Sequence, residues 1–275
     1  MPLIRALLAH LTILLLLLTC GFIYERTGFG DTLWDEVLTR VVFSAAMTAF
    51  LLSISGTKHL QLKNGAVRHA LKMCAPLLIF AGFLTFLFLT DPETRGTLSV
   101  TPGLLSGTLL CVTVGIFEET AYRAVIYDGI AGFTRNTRGT YTASAVVSFI
   151  LFGVSHVLNE LLMPETFTEP TLLMQVLLKI TQTGLIGLIM MLIYVRTGTV
   201  WAPAAAHALF DLLLCLPELL TAADISMEYV SVEDAAGGIR SYVIMILIEL
   251  VIYLRLRGKH LSAIRAEETA GEKEL

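Results

Sequence analysis

Charge is scarce in this chain. Asp, Glu, Lys and Arg make up 15% of its 275 residues, against about 25% in a soluble domain. Hydrophobic residues account for 55% and the mean hydropathy is +0.76, which excludes a soluble domain as the bulk of the molecule. Low-complexity tracts, long linkers and internal repeats are missing too, leaving a single integral membrane domain over 1–275 as the simplest organisation. The four cysteines, Cys20, Cys74, Cys111 and Cys215, fall in apolar runs without paired spacing. That pattern excludes a disulfide framework and reads as packed free thiols.

Apolar runs are what the chain has in abundance. A membrane-crossing helix needs about 20 such residues, and runs near 6–23, 37–54, 71–90, 103–127, 142–162, 172–195, 200–217 and 241–256 predict about eight spans. The expected fold is an all-α, polytopic transmembrane helix bundle. Basic residues divide unevenly between its two faces. The segments on the N-terminal side hold thirteen Lys and Arg, whereas the opposite loops hold only Arg26, Arg95 and Arg240. By the positive-inside rule both termini are expected in the cytoplasm. Residues 1–23 also have the outline of a signal peptide, with Arg5 ahead of an apolar core, but Thr19 before Cys20 fits a lipoprotein cleavage site poorly and an uncleaved helix is expected. The basic stretch 56–70 reads as an interfacial connector, and the acidic stretch 218–240 as a solvated outer loop.

Against this apolar background the ionisable residues stand out, because each costs about 2.5–3.5 kcal/mol at the bilayer centre on insertion scales. The fourth span carries Glu118, Glu119 and Arg123; the fifth carries His156; the seventh carries His207 and Asp211. Glu119 and Arg123 are four residues apart with the acid first, the favourable order for an ion pair along one helix face. Glu118 is turned about 100° away, so it is the carboxylate without a built-in partner and the better candidate for a general base. His207 and Asp211 share a face of their own helix. With end errors of two to four residues, the depths of these groups are compatible with one shared layer and equally with a miss by one helical turn. Lys179, Gln175, Gln182 and Glu249 are more scattered and read as structural or snorkelling groups.

A carboxylate and two histidines in a wet intramembrane pocket suit activation of water for attack on a carbonyl. In one version Glu118 deprotonates a water shared with His156, and His207 with Asp211 stabilises the oxyanion, Asp211 being protonated or acting through His207. In the other, Glu118, His156 and His207 hold Zn²⁺. No HExxH is present, so the zinc version lacks its most specific signature. A proton-coupled transporter would use similar residues as a relay, and a non-catalytic immunity or scaffold protein would use the same cavity only to bind.

Three motifs favour the enzyme. "EETAYR" (Glu118 to Arg123), "FGVSH" (Phe152 to His156) and "HALFD" (His207 to Asp211) match EExxxR, FxxxH and HxxxN/D, in that order and each on a predicted span. Together they resemble the CPBP family of intramembrane endopeptidases, which includes the type II CAAX prenyl proteases and the bacteriocin-processing and self-immunity group. The resemblance implies that Glu118 activates water with His156, that His207 and Asp211 form the oxyanion site, and that Glu119, Arg123 and Phe152 support them. It implies a metal-free mechanism and a conical cavity open to the cytoplasm and to lipid. The expected partners are the bilayer and a hydrophobic or lipidated peptide, not nucleic acid, with the protein in the plasma membrane of a prokaryote. On this reading 1–99 supplies the first three spans, 100–220 the catalytic core, and 221–275 the outer loop, last span and tail.

Overall fold

The computed structural model describes residues 1–27, 32–91, 98, 103–135, 137, 139–221 and 235–273. Among them there is no strand. The helices are α1 (Pro2–Thr27), α2 (Leu33–Ser55), α3 (Ala66–Thr90), α4 (Gly103–Glu119), a π-helical turn (Thr120–Val125), α5 (Ile126–Thr134), α6 (Thr140–Ser155), the single turns α7 (Leu158–Leu161) and α8 (Glu165–Thr168), α9 (Pro170–Thr197), α10 (Trp201–Thr221) and α11 (Ala235–Lys273). Among the described residues seven segments are long and apolar enough to cross a membrane, with α4, the π-turn and α5 counting as one. The eighth expected span is α6, apolar but only 16 residues long.

Three boundaries differ from the sequence expectation. The fourth span runs on to Thr134 rather than ending near 127, because no helix breaker follows Arg123 and the π-turn carries the chain smoothly into α5. The fifth stops at Ser155 rather than near 162: the chain leaves the helix at His156 and makes two separate turns. The last helix is 39 residues long and extends well beyond 241–256. The acidic stretch read as an outer loop falls largely outside the described residues.

Helix ends follow local chemistry. Thr32 caps α2 by accepting from the Asp35 backbone N–H at 3.3 Å, with Asp35 and Glu36 in the first turn where the helix dipole favours acids. Pro170 opens α9, and Gly198, at φ 61°, closes it in the left-handed conformation that glycine tolerates. Proline inside α10 has a traceable consequence. Pro217 has no N–H for the Leu213 carbonyl, and Thr85 of α3 donates its hydroxyl to that oxygen instead. α3 thereby holds α10 one turn beyond its functional residues.

Without a hydrophobic drive between helices in lipid, close packing decides which helices meet. α4 lies against α10 at Gly115, where a Cβ would come within 2.7 Å of the Ala204 carbonyl oxygen. α6 lies against α9 at Gly153, whose missing side chain makes room for the Ile180 backbone. On α9, Ile189 through Tyr194 are fully buried. α6 is held at its starting end by Glu268 of α11, whose carboxylate accepts from the backbone N–H groups of Gly139 (3.3 Å) and Tyr141 (2.8 Å).

The stretch 56–70, expected as an interfacial connector, begins with a strap across that same end of the bundle. Val200 N–H donates to the His59 carbonyl (3.0 Å), Thr199 to Gln61 (2.9 Å) and Trp201 Nε1 to Leu60 (2.6 Å). The His59 ring lies 3.4 Å from Asp128 of α5, which also accepts from Tyr194 at 3.1 Å. Burial holds the His59 imidazole below the ordinary histidine range, against the opposing pull of Asp128.

Candidate active site

The close approach of α4 and α10 at Gly115 brings Glu118 and Glu119 to His207. One turn along, α6 ends and delivers His156 to the same place. Glu118 is the hub: its two oxygens lie 4.0 Å from His156 Nε2 and 3.6 Å from His207 Nε2. His207 Nε2 is also 3.5 Å from Asp211, one helical turn away on α10. The four residues expected to act together are therefore linked by separations of 3.5–4.0 Å.

Glu119 does more than expected. Its Oε1 is 3.0 Å from Arg123 Nη2, the anticipated ion pair, and both side chains are completely buried. The same oxygen is 2.7 Å from His207 Nδ1, the shortest polar contact of the site. Glu119, rather than Asp211, thus fixes the His207 ring. Both nitrogens of His207 face carboxylate oxygens, which only accept; a doubly protonated ring satisfies both directions at once.

Phe152 is the packing centre. The Arg123 guanidinium carbon lies 4.0 Å from its ring centroid, and the rings of His156, Tyr122 and His207 lie at 4.4, 5.2 and 6.1 Å. Arg123 is thus sandwiched between a carboxylate and an aromatic face, which compensates a charge with no access to water. His156 Nδ1 is 2.8 Å from the Phe152 carbonyl oxygen; in the tautomer that donates there, Nε2 is left as the acceptor facing Glu118. The turn after Glu119 is π-helical, a wide turn often found at functional sites because it re-aims side chains without ending the helix.

Residues 100–213 match the family model of type II CAAX prenyl endopeptidase Rce1-like proteins. The core of this chain is Rce1-like. The matched segment takes in α4 through the first part of α10, with all three motifs inside it, and agrees with the CPBP resemblance. It covers somewhat under half of the chain. No curated protein and no solved structure matches the chain. This segment is similar to a family of type II CAAX prenyl endopeptidases, and the apolar helices in and around it make the chain an integral, multi-pass membrane protein.

Two features of the Rce1-like core were not read from sequence. The Glu119 to His207 contact spans 88 residues and two helices, beyond any local spacing rule. The polar residues of α9 and α11, read as scattered, are linked: Lys179 donates to Gln182 (3.4 Å), and Gln182 donates to the buried Glu249 (2.7 Å).

For zinc, the expected ligands would be Glu118, His156 and His207. Two ligands of one tetrahedral zinc, each roughly 2.0–2.1 Å from the ion, stand about 3.3 Å apart. Here the carboxylate-to-imidazole separations are 3.6 and 4.0 Å, and among the described residues no group of three or more His, Cys, Asp or Glu side chains is arranged to hold a metal ion. The donor set does not fit the ion as it stands.

Proposed function

We propose that the chain hydrolyses a peptide bond in a membrane-associated, hydrophobic or lipidated substrate, with water activated by Glu118. Glu118 takes the proton from a water that His156 Nε2 helps to position, and the resulting hydroxide attacks the carbonyl carbon. The oxyanion forms beside His207 Nε2, whose ring is aimed by Glu119. Donors set in advance where charge develops are worth about 2.7–4 kcal/mol each in the transition state. The protonated Glu118 then returns its proton to the leaving amine. Asp211 acts through His207, holding the Nε2 side of the imidazolium, because a bare carboxylate in direct contact would repel the oxyanion. No step uses a metal.

The observation that carries this reading is the convergence of Glu118, His156 and His207 within 4.0 Å contacts inside the Rce1-like segment. With the basic loops placed in the cytoplasm, both termini lie there as well, and the plasma membrane of a prokaryote is the proposed location. Purified protein in lipid nanodiscs, incubated with lipidated and unlipidated membrane peptides and read by product mass spectrometry, tests the activity. Glu118→Gln should fold and insert normally yet lose about 10²–10⁴-fold in turnover, the usual share of a general base. Unchanged cleavage in that variant would refute the assignment. A chelator should leave the wild-type rate unaltered.

A further inference from the structure

A second cavity lies at the basic end of the bundle, away from the catalytic residues. It has a volume of about 260 Å³ and sits where the segment after the strap, the first turn of α3 and the last turn of α9 meet. Lys63, His69 and Arg196 line it together with Asn64 and Thr197, and none of the described residues in its wall is acidic. Nor does the first turn of α3 carry an acid, although the helix dipole would favour one there. The Lys63 ammonium reaches over Gly198, filling the space that a side chain at that position would need. Behind His69, His260 of α11 packs edge-on with 6.3 Å between ring centroids. Cationic and imidazole groups from three helices and a loop thus converge, and no carboxylate in the lining offsets them.

Depth and the neighbouring surface say what kind of anion belongs there. α3 and α9 are both long and apolar enough to cross a membrane, and the cavity sits at the tips that the charge bias assigns to the cytoplasm. That is the level of lipid headgroups. From the cavity one face of α3 leads into the apolar layer: His69, Lys72, Pro76, Ile79, Phe83 and Phe86 follow at alternating steps of three and four residues, and all six are exposed. Such spacing puts them on a single stripe. Directly beneath the charged rim, an acyl chain therefore has bare apolar helix to lie against.

We propose that this cavity holds the phosphate of an anionic phospholipid whose chains run along the α3 stripe. The Arg196 guanidinium offers a planar fork that fits phosphate oxygens, and Lys63 adds a point charge on a flexible stem. Basic pockets between spans on the cytoplasmic side bind headgroups of this kind. Free phosphate satisfies the same charges but leaves the apolar stripe unused. A lipid bound here ties the loop, α3 and α9 together at the point where the chain turns into α10. None of the lining residues takes part in the proposed hydrolysis, so the site stands or falls independently of it.

Native mass spectrometry of the full-length protein, released from detergent micelles containing phosphatidylglycerol and phosphatidylcholine of matched chains, tests the site. One phosphatidylglycerol should be retained in preference to phosphatidylcholine. Lys63→Gln and Arg196→Gln should each weaken that retention about fivefold, the share of one basic residue near an anionic surface. Arg135→Gln, in the turn after α5 and outside the cavity, should leave it unchanged. Lys63 and His69 are exposed, so Lys63→Gln combined with His69→Gln keeps the test open where Arg196→Gln fails to fold. Millimolar inorganic phosphate should not displace the lipid. Equal retention of the two lipids, or an equal loss in Arg135→Gln, would overturn the proposal. Displacement by inorganic phosphate would overturn it too, by making the cavity a free-anion site.

Discussion

Glu119 offers the sharpest test, because one carboxylate oxygen serves two partners with different jobs. Breaking a buried ion pair by removing one partner costs about 3–5 kcal/mol, since the other charge is left uncompensated. Glu119→Gln strands Arg123, whose remaining support is the Phe152 ring at 4.0 Å, so its cost should fall near 5 kcal/mol. Arg123→Met leaves Glu119 still paired with His207 at 2.7 Å, so its cost should fall nearer 3 kcal/mol. Removing both charges together should recover most of the loss in reversible unfolding in mixed micelles, because replacing a whole buried pair by uncharged groups is often close to neutral. Activity should behave otherwise. With Glu119 gone His207 is no longer aimed, and turnover should drop by about 10²–10³ in both Glu119→Gln and the double variant, the loss expected for one misplaced oxyanion donor. A double variant that regains stability and activity together would show that Glu119 only braces the helix. One that regains neither would mean that the pair is not the source of the instability.

Other expectations are simpler to check. Gly115→Leu places a side chain where the Ala204 carbonyl oxygen already sits, so α4 and α10 should separate and cleavage should fall at least about 10²-fold, since misplacement by 1 Å is enough for that; full activity would refute the close-approach argument. Phe152→Ala should cost about 3–5 kcal/mol in unfolding, and a loss below 1 kcal/mol would deny the ring its central place. His59 has its pKa lowered in the folded state, so the unfolded chain takes up that proton first as pH falls. Its contribution is therefore present above about pH 6.5 and is lost as pH drops through the folded value. Thermal midpoints at pH 7.5 and 5.5 should converge in His59→Gln relative to wild type.

Much of this site could be read from residue spacing because its parts obey helical arithmetic. Adjacent glutamates point in different directions, and Glu119 with Arg123, and His207 with Asp211, recur after one turn. Charge bias between loops is similarly local. The contacts that spacing could not supply join different helices. That Glu119 aims His207 depends on how far α4 and α10 approach, which Gly115 decides. That Lys179, Gln182 and Glu249 connect depends on how α9 meets α11. The extent of α6 was also misread, since Val157 to Leu162 is as apolar as the helix before it, and only backbone geometry shows that the chain turns at His156. The strap escaped for a similar reason. Its three hydrogen bonds to 199–201 are all accepted by backbone carbonyls of residues 59–61, which leave no mark in residue type.

The shortness of α6 has a consequence outside the protein. Sixteen residues rise about 24 Å, some 6 Å less than the hydrocarbon thickness of an ordinary membrane. Lipid beside α6 has to pucker inward or α6 has to recruit polar headgroups to its tip, and each ångström of such mismatch costs a fraction of a kcal/mol. The depression falls beside His156, where water is consumed in the proposed hydrolysis. Acyl-chain length in the host membrane then tunes how readily solvent and substrate reach the reaction, with short-chain lipids easing access and long, ordered ones restricting it.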